Sequence, residues 1–187
     1  MKRFKEIYKY IIYVICSQMS VIQEKLLTHK LNNSLTFYLH LHDTREWNLE
    51  SYNKILTFDN VEHAILLNDE IHYDLIKKSM MFLMKEDIKP MWEDLPNKDG
   101  GCFSFKVLNK DIEQVWKEVY FNVIGGTITK NSKYYQNING ITLSPKKKFC
   151  ILKIWMKDCV LKDPEIFVSI PNLSVNGCLF KKHNPEF

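Results

Sequence analysis

The chain has 187 residues, of which 45% are hydrophobic and 13% aromatic, and its formal net charge is +4. This length suits one domain, or one domain with an extension, and is enough to bury a sizeable core. The apolar content is too high, and the net charge too modest, for an intrinsically disordered chain. No apolar run approaches the roughly 18 residues that a membrane-spanning helix needs, so the sequence excludes an integral membrane protein.

The basic residues are almost all lysine, with 24 Lys beside Arg3 and Arg45. Ile and Asn are also plentiful, and the A/T-rich codons of these residues indicate an AT-rich genome. The five cysteines are odd in number, widely spaced and without a C-x-x-C pair, which disfavours disulfides and structural zinc and fits the cytoplasm. His40 and His42 have no third ligand at a suitable spacing, so we predict neither a metal nor a cofactor.

The N-terminal segment, residues 1–27, carries apolar side chains three and four positions apart. They are Tyr8, Ile12, Ile15, Met19, Ile22 and Leu26. This spacing predicts an amphipathic helix over Lys5–Leu27, an extension that packs on a domain formed by residues 28–187. A targeting segment is the alternative, because the chain opens on basic residues. Against it, Lys9 interrupts a short apolar run and no small-x-small cleavage site follows.

Beyond His29 the pattern predicts strands joined by hairpins, with few helices between them, and therefore an α+β fold with an antiparallel sheet. The predicted strands are Thr36–His42, Ser79–Met84, Cys102–Leu108, Gly140–Ser144, Phe149–Met156 and, as the last, Glu165–Ile170. One predicted helix begins at Asp59 or Asn60, with Glu62 completing a box-like cap. Another spans Asn109–Ile124 and ends at Gly125, where φ can be positive. Two prolines and a Gly-Gly pair make Lys89–Gly101 a predicted loop.

The strand Phe149–Met156 carries a different chemistry on each of its two faces. Its even-numbered side chains form an unbroken apolar row suited to lie under helices: Cys150, Leu152, Ile154 and Met156. The opposite face holds Lys153 and Trp155 beside Ile151. A face with a Lys and a Trp is not core, so we predict that it is open and binds a ligand.

One loop connects these patterns to a known family. The segment Ile88-Lys89-Pro90-Met91-Trp92-Glu93-Asp94, followed by Asn97-Lys98-Asp99-Gly100-Gly101, closely resembles the signature loop of eukaryotic translation initiation factor 4E, the messenger-RNA cap-binding family. Further matches follow in order: His29–Asn33, Trp47, Phe58–Glu62, Trp116, Ile124-Gly125 and Ile154–Cys159. The resemblance covers about residues 29–170. It implies a curved antiparallel sheet with helices on its convex face and a cap-binding cleft on its concave face.

The resemblance also implies roles for individual residues. Trp47 and Trp92 would stack on the two faces of 7-methylguanine, and Trp155 would contact its N7-methyl group. Glu93 and the backbone N–H of Trp92 would hydrogen-bond the guanine edge. The cap phosphates would meet Lys146, Lys148 and Lys153. Here the chain departs from the family, because Lys146 replaces an Arg and Ile151 replaces a Lys.

A second surface is implied on the convex face, where the family binds a helix of scaffold protein 4G or of regulators with a Tyr-x-x-x-x-Leu-apolar motif. The matching residues are His29, Val61, Ile65, Glu118 and Phe121. Ile65 stands where the family has a Trp, Lys30 replaces a Pro and Lys117 replaces an apolar residue. We therefore expect the family's usual partners, scaffold protein 4G and the regulators with this motif, to bind poorly.

The chain has no room for the family's third long helix, because only Met156–Pro164 separates the two last predicted strands. We expect an apolar strip of the sheet to be left uncovered, and the N-terminal helix to cover it. The resemblance predicts a non-enzymatic, cytoplasmic protein that recruits capped mRNA for translation initiation. The Lys-rich composition and the reduced architecture indicate a virus or an AT-rich protist as its source. A cap-binding repressor, or an interaction module that has lost cap binding, are the alternatives.

Overall fold

The computed structural model describes residues 9–10, 13–14, 17, 28–41 and 46–183. The described positions before residue 28 are helical, and Tyr10 and Tyr13, which are not part of the predicted apolar stripe, are exposed. The stripe itself and most of the predicted helix Lys5–Leu27 lie outside the described residues. His42 and most of the loop before Trp47 lie outside them as well.

In the described part of the chain, seven strands form one antiparallel sheet, which confirms the predicted fold class. They are β1 (Lys30–Leu41), β2 (Tyr52–Asn60), β3 (Ser79–Lys85), β4 (Gly101–Leu108), β5 (Ile138–Pro145), β6 (Phe149–Met156) and β7 (Leu179–Lys182). Their order across the curved sheet is β2-β1-β3-β5-β6-β4-β7. β6 therefore lies inside the sheet, paired with β5 on one side and β4 on the other.

Among the described residues from 28 onward, four helices accompany the sheet: α1 (Val61–Asp69), α2 (Tyr73–Lys78), α3 (Leu95–Lys98) and α4 (Ile112–Ile124). The side chain of Asn60 caps α1 by accepting a hydrogen bond from the N–H of His63 at 2.9 Å. The predicted capping box is therefore wrong, because Asp59 pairs with Lys30 and Glu62 with His29. α4 ends before Gly125 as predicted, but the left-handed residue is Gly126, with φ of 69°.

The main core lies between one face of the sheet and the helices α1, α2 and α4. The predicted apolar row of β6 joins it, since Cys150, Leu152, Ile154 and Met156 are all buried there. The opposite face carries a smaller cluster of Phe82, Met84 and Trp155. The two faces of β6 thus serve two purposes, as its alternation predicted.

Sequence patterns missed β2, α2 and β7, and the four-residue helix α3 lies inside the segment predicted as a loop. β2 lies at the edge of the sheet and its side chains are mostly half-buried, so it lacks a clear two-residue alternation. α2 has only six residues and no side-chain hydrogen bond at its N-cap. β7 has four mostly exposed residues at the other edge. Such elements depend on long-range pairing rather than on a local pattern.

The predicted last strand Glu165–Ile170 is wrong. Pro164 begins a short 3-10 turn that Asp163 caps by accepting the N–H of Glu165 at 2.9 Å. Phe167 and Ile170 are both buried in the same core, although residues three apart on a strand would point to opposite faces.

This segment covers the strip that we expected to be bare. The ring of Phe167 packs edge-on against Phe103 at 5.0 Å and against Phe105 at 6.0 Å between centroids. Ile170 joins the same core. The irregular chain after β6 therefore covers part of this face, while the predicted packing of the N-terminal helix falls on residues outside those that the structure describes.

Truncating this covering side chain tests the assignment. Phe167→Ala should lower the free energy of unfolding by about 3–5 kcal/mol, because it opens a cavity against β4. Val160→Ala is the matched control, since Val160 is 80% exposed, and it should change stability by no more than about 0.5 kcal/mol. Urea denaturation followed by circular dichroism measures both. Equal stability of the two variants would show that another element covers the strip.

Candidate functional site

A cleft of about 600 Å³ opens on the face of the sheet opposite the helices. Its walls include three of the four tryptophans and two of the predicted lysines: Trp47, Trp92, Trp155, Lys146 and Lys153. The fourth, Trp116, is buried in the main core. The structure thus brings together residues that are more than a hundred positions apart in the sequence, and it does so on the face that β6 was predicted to leave open.

Trp155 is the fixed part of the cleft. It is only 7% exposed and packs against Phe82 and Met84. Its indole N–H donates a 2.8 Å hydrogen bond to the hydroxyl of Thr142 on β5, which satisfies the one polar atom of the ring. The ring edge that reaches the cleft is therefore held by sheet packing.

Trp92 lies on the loop between β3 and β4 and is 45% exposed. The fully buried Asn97 organises this loop, since its amide donates to the carbonyl oxygens of Lys89 at 2.9 Å and Met91 at 2.8 Å. Asn139 on β5 donates in turn to the side-chain oxygen of Asn97 at 2.9 Å. At the loop's end, a Cβ on Gly100 would overlap the backbone of β6, so glycine is required there. The loop is thus held to the sheet while its indole remains accessible.

Trp47 follows β1 on the other side of the cleft and is 57% exposed. One face of its indole stacks on the ring of His40, with 4.1 Å between centroids and 6° between planes. Tyr52 lies edge-on to both rings, at 5.2 Å from His40 and 6.4 Å from Trp47. Two exposed indoles therefore stand on two different loops around one cleft.

The cleft is basic. Lys153 extends from the middle of β6, opposite Thr142 on β5 and Ser104 on β4, while Lys146 begins the turn between β5 and β6. Lys148 is exposed on the same turn but does not line the cleft. Ile151 does line it, at the position where the sequence departs from the family's lysine.

Glu93 is exposed beside Trp92 and is not part of the cleft wall. Its charge nevertheless reaches the cleft. Burial raises the pKa of Tyr52 to about 12, and the negative charge of Glu93 contributes to that rise. A carboxylate near this wall is suited to accept hydrogen bonds from the donor edge of a base held between the tryptophans.

The cleft is also lined by residues that were not predicted for the site, among them His40, Lys181 and His183. Lys181 and His183 reach the site through β7, whose register pairs Lys181 with Cys102 of β4. The ring of His183 packs on Trp155 at 4.5 Å, and burial followed by the charge of Lys153 lowers the pKa of His183 to about 4. The alternation of β1 did place His40 on the face opposite Phe37, but no local signal indicated its contact with Trp47.

The residues of the predicted partner surface lie on the helical side of the molecule. Ile65 on α1 is 46% exposed, and Phe121 on α4 is partly exposed. Tyr120 joins the two helices by donating a 2.8 Å hydrogen bond to the carbonyl oxygen of Ala64. The other members are Val61 at the start of α1, His29 beside Glu62, and Glu118, which accepts a hydrogen bond from Gln114.

In the part of the chain that the structure describes, no three His, Cys, Asp or Glu side chains are grouped so as to hold a metal ion. Within the same residues, none of the helices combines the length and the apolar character needed to cross a membrane.

Comparison with known proteins identifies the family to which this sequence is similar. The family model described as eukaryotic initiation factor 4E matches residues 30–181. Eukaryotic translation initiation factor 4E of Candida glabrata is 33% identical over 118 residues, which cover 59% of this chain and 55% of that protein. Its counterpart in Saccharomyces cerevisiae is 34% identical over 116 residues, covering 58% of this chain and 53% of that protein. The chain thus spans about half the length of the curated relatives it matches.

The fold is shared with a solved member of that family. The structure of Caenorhabditis elegans eIF4E-3 in complex with the 4E-binding protein Mextli and a cap analog aligns with a TM-score of 0.64 and 26% identity. The alignment covers 71% of this chain and 76% of that one. Because the family model also matches most of the sequence, the chain belongs to the eukaryotic initiation factor 4E family.

Proposed function

We propose that this protein binds the 7-methylguanosine cap of messenger RNA and recruits capped transcripts for translation initiation in the cytoplasm, acting by binding rather than by catalysis. The observation that carries the proposal is the cleft itself, where two exposed indoles, a buried third indole and four lysines converge. The similar C. elegans eIF4E-3 was solved with a cap analog, which supports the same ligand class here.

The two exposed indoles, Trp47 and Trp92, suit a flat cation. N7-methylguanine carries a delocalised positive charge, and an aromatic face attracts such a charge in addition to stacking on it. Each ring contributes about 1–3 kcal/mol when the base is desolvated between them. Unmethylated guanine lacks the charge, so the sandwich selects for the cap. Trp155 would form the wall against the methyl group.

The guanine edge requires a carboxylate. Guanine presents two donors, N1–H and the 2-amino group, and one carboxylate can accept from both in a charge-assisted pair. Glu93 is the residue we assign to this role, with the backbone N–H of Trp92 donating to O6. This pairing would distinguish guanine from adenine, which has no matching pair of donors on that edge.

Retention on a 7-methylguanosine resin tests the proposal. The protein should be retained and should elute with free 7-methyl-GTP but not with GTP, because only the methylated base is charged. Failure to bind, or equal elution by GTP, would contradict the assignment.

A matched pair of variants connects this result to the site. Glu93→Gln should weaken binding of 7-methyl-GTP by about 10- to 100-fold, since hydrogen bonds to charged groups contribute about 1.5–3 kcal/mol. Glu86→Gln makes the same charge change at an exposed position outside the cleft and should leave the affinity unchanged. Calorimetric titration measures both, and equal losses would remove Glu93 from the site.

We assign the cap phosphates to Lys146 and Lys153, with Lys148 on the adjoining turn. Lys153 extends into the cleft from a central strand, so its side chain compensates for the apolar Ile151. Both lysines act as point charges, without the planar fork of the family's arginine.

The phosphate assignment has its own signature. Lys153→Met should weaken binding of 7-methyl-GTP by about threefold to fivefold, since an accessible ion pair contributes up to about 1 kcal/mol. The same variant should bind the nucleoside 7-methylguanosine like the unaltered protein, because the nucleoside has no phosphate. Lys110→Met, exposed and outside the cleft, is the control. Equal losses for nucleotide and nucleoside would contradict a phosphate contact.

The helical side is the surface we assign to a protein partner of the 4G type or a dedicated equivalent. The support is the exposure of Ile65 between residues that match the family pattern, and the C. elegans relative was solved with a 4E-binding protein. The family's Trp is absent, so a dedicated partner would need to supply its own large apolar side chain opposite Ile65.

Restoring the aromatic ring tests this surface. Ile65→Trp should raise the affinity for a peptide with the Tyr-x-x-x-x-Leu-apolar motif by about 10- to 30-fold, because an aromatic hot spot contributes about 2 kcal/mol. Val160→Trp adds the same ring at a site that is 80% exposed elsewhere. Fluorescence anisotropy of a labelled peptide measures both. No gain, or an equal gain in the control, would place the partner elsewhere.

A further inference from the structure

We propose that His40 is a positioning residue that holds the indole of Trp47 in its binding orientation before the ligand arrives. The effect of this orientation on ligand affinity rests on the proposed function, since it requires that Trp47 stacks on a base. Its geometric basis is independent of the ligand and comes from the contacts of three neighbouring rings: His40, Trp47 and Tyr52.

His40 is itself rigid. It is 2% exposed and lies near the end of β1, where the register pairs it with Tyr52 of β2 and Met80 of β3. Strands on both sides therefore fix its backbone. Trp47, by contrast, lies just beyond the strand and is more than half exposed. The nearly parallel stack, with 6° between the ring planes, orients the exposed indole of Trp47 against the buried ring of His40.

A hydrogen bond reinforces the stack. Nε2 of His40 lies 2.9 Å from the backbone carbonyl oxygen of Glu46, the residue immediately before Trp47. Because a carbonyl oxygen only accepts, Nε2 carries the proton and donates it. The imidazole thus holds the backbone at Glu46 and the side chain at Trp47 at the same time.

The opposite face of the indole remains available. His40 covers one face of Trp47, and Tyr52 contacts its edge, yet the side chain is still 57% exposed. With one face stacked on His40 and Trp47 among the residues that line the cleft, this exposure leaves room for a ligand on the other face. His40 therefore supports the indole from behind and does not occupy the place of the base.

The consequence is preorganisation. A tryptophan that must be ordered at the moment of binding subtracts its conformational entropy from the affinity, whereas one that is already held does not. Phe at position 40 preserves the stacking surface but not the hydrogen bond, and Ala removes both. The two substitutions therefore separate the contribution of ring stacking to the affinity from that of the hydrogen bond.

Affinity and orientation are measured together. His40→Ala should weaken binding of 7-methyl-GTP by about threefold to tenfold, the range expected for an aromatic pair, and His40→Phe should recover most of the loss. Each protein is also labelled with 5-fluorotryptophan, and the Trp47 resonance is identified by its absence from Trp47→Phe. In the fluorine spectrum of the free protein, this resonance should shift and narrow in His40→Ala, while those of the other tryptophans stay in place.

The control is a second buried histidine on the other side of the sheet. His63 on α1 is 7% exposed and bonded to Asn60, so His63→Ala should lower the melting temperature without changing either readout. If His40→Ala also changes stability alone, with affinity and the Trp47 resonance unaltered, the positioning role is overturned. If the unaltered protein fails to bind 7-methyl-GTP, the proposed function is lost, while the fluorine spectrum still decides whether His40 holds Trp47.

Discussion

The alternation of side chains along β6 is the constraint on which both the fold and the cleft depend. Leu152 and Ile154 point into the core under the helices. The alternating residues Lys153 and Trp155 point to the opposite face of the sheet, where they line the cleft. A slip of one residue in the register would bury the lysine and expose the leucine, so the hydrophobic core itself enforces the register. The free energy that folds the sheet therefore also sets the positions of a cation and an aromatic wall in the cleft.

The cleft combines one indole held by the sheet with two held by loops. Trp155 is fixed by packing and by its hydrogen bond to Thr142. Trp92 depends on the buried Asn97, which fastens its loop, and Trp47 stacks on His40. In each case a buried polar side chain holds in place an indole that lines the cleft, or the loop that carries it. This arrangement keeps the aromatic faces accessible without leaving them disordered, which favours binding of a flat ligand.

Much of the site was predictable because its residues lie on regular strands or in a distinctive loop. The two-residue period placed Lys153 and Trp155 on the open face, and the loop chemistry around Trp92 indicated the family. The missed features depend on contacts between distant segments: His183 reaches Trp155 only through the pairing of β7 with β4. Phe167 was wrongly assigned to a strand because its neighbours are apolar, and only its packing against Phe103 reveals the irregular covering segment. The shared cause is that edges and irregular segments take their structure from their partners.

The central claim is that two indoles recognise the positive charge of the methylated base, and an uncharged ligand of the same shape tests it most directly. Calorimetric titration should compare 7-methyl-GTP with its 7-deaza-7-methyl analogue, which keeps the methyl group and the guanine hydrogen-bonding edge but is neutral. The account predicts that the charged ligand binds at least about tenfold more tightly, since a desolvated cation–π contact contributes about 2 kcal/mol. Equal affinities for the two ligands would contradict it.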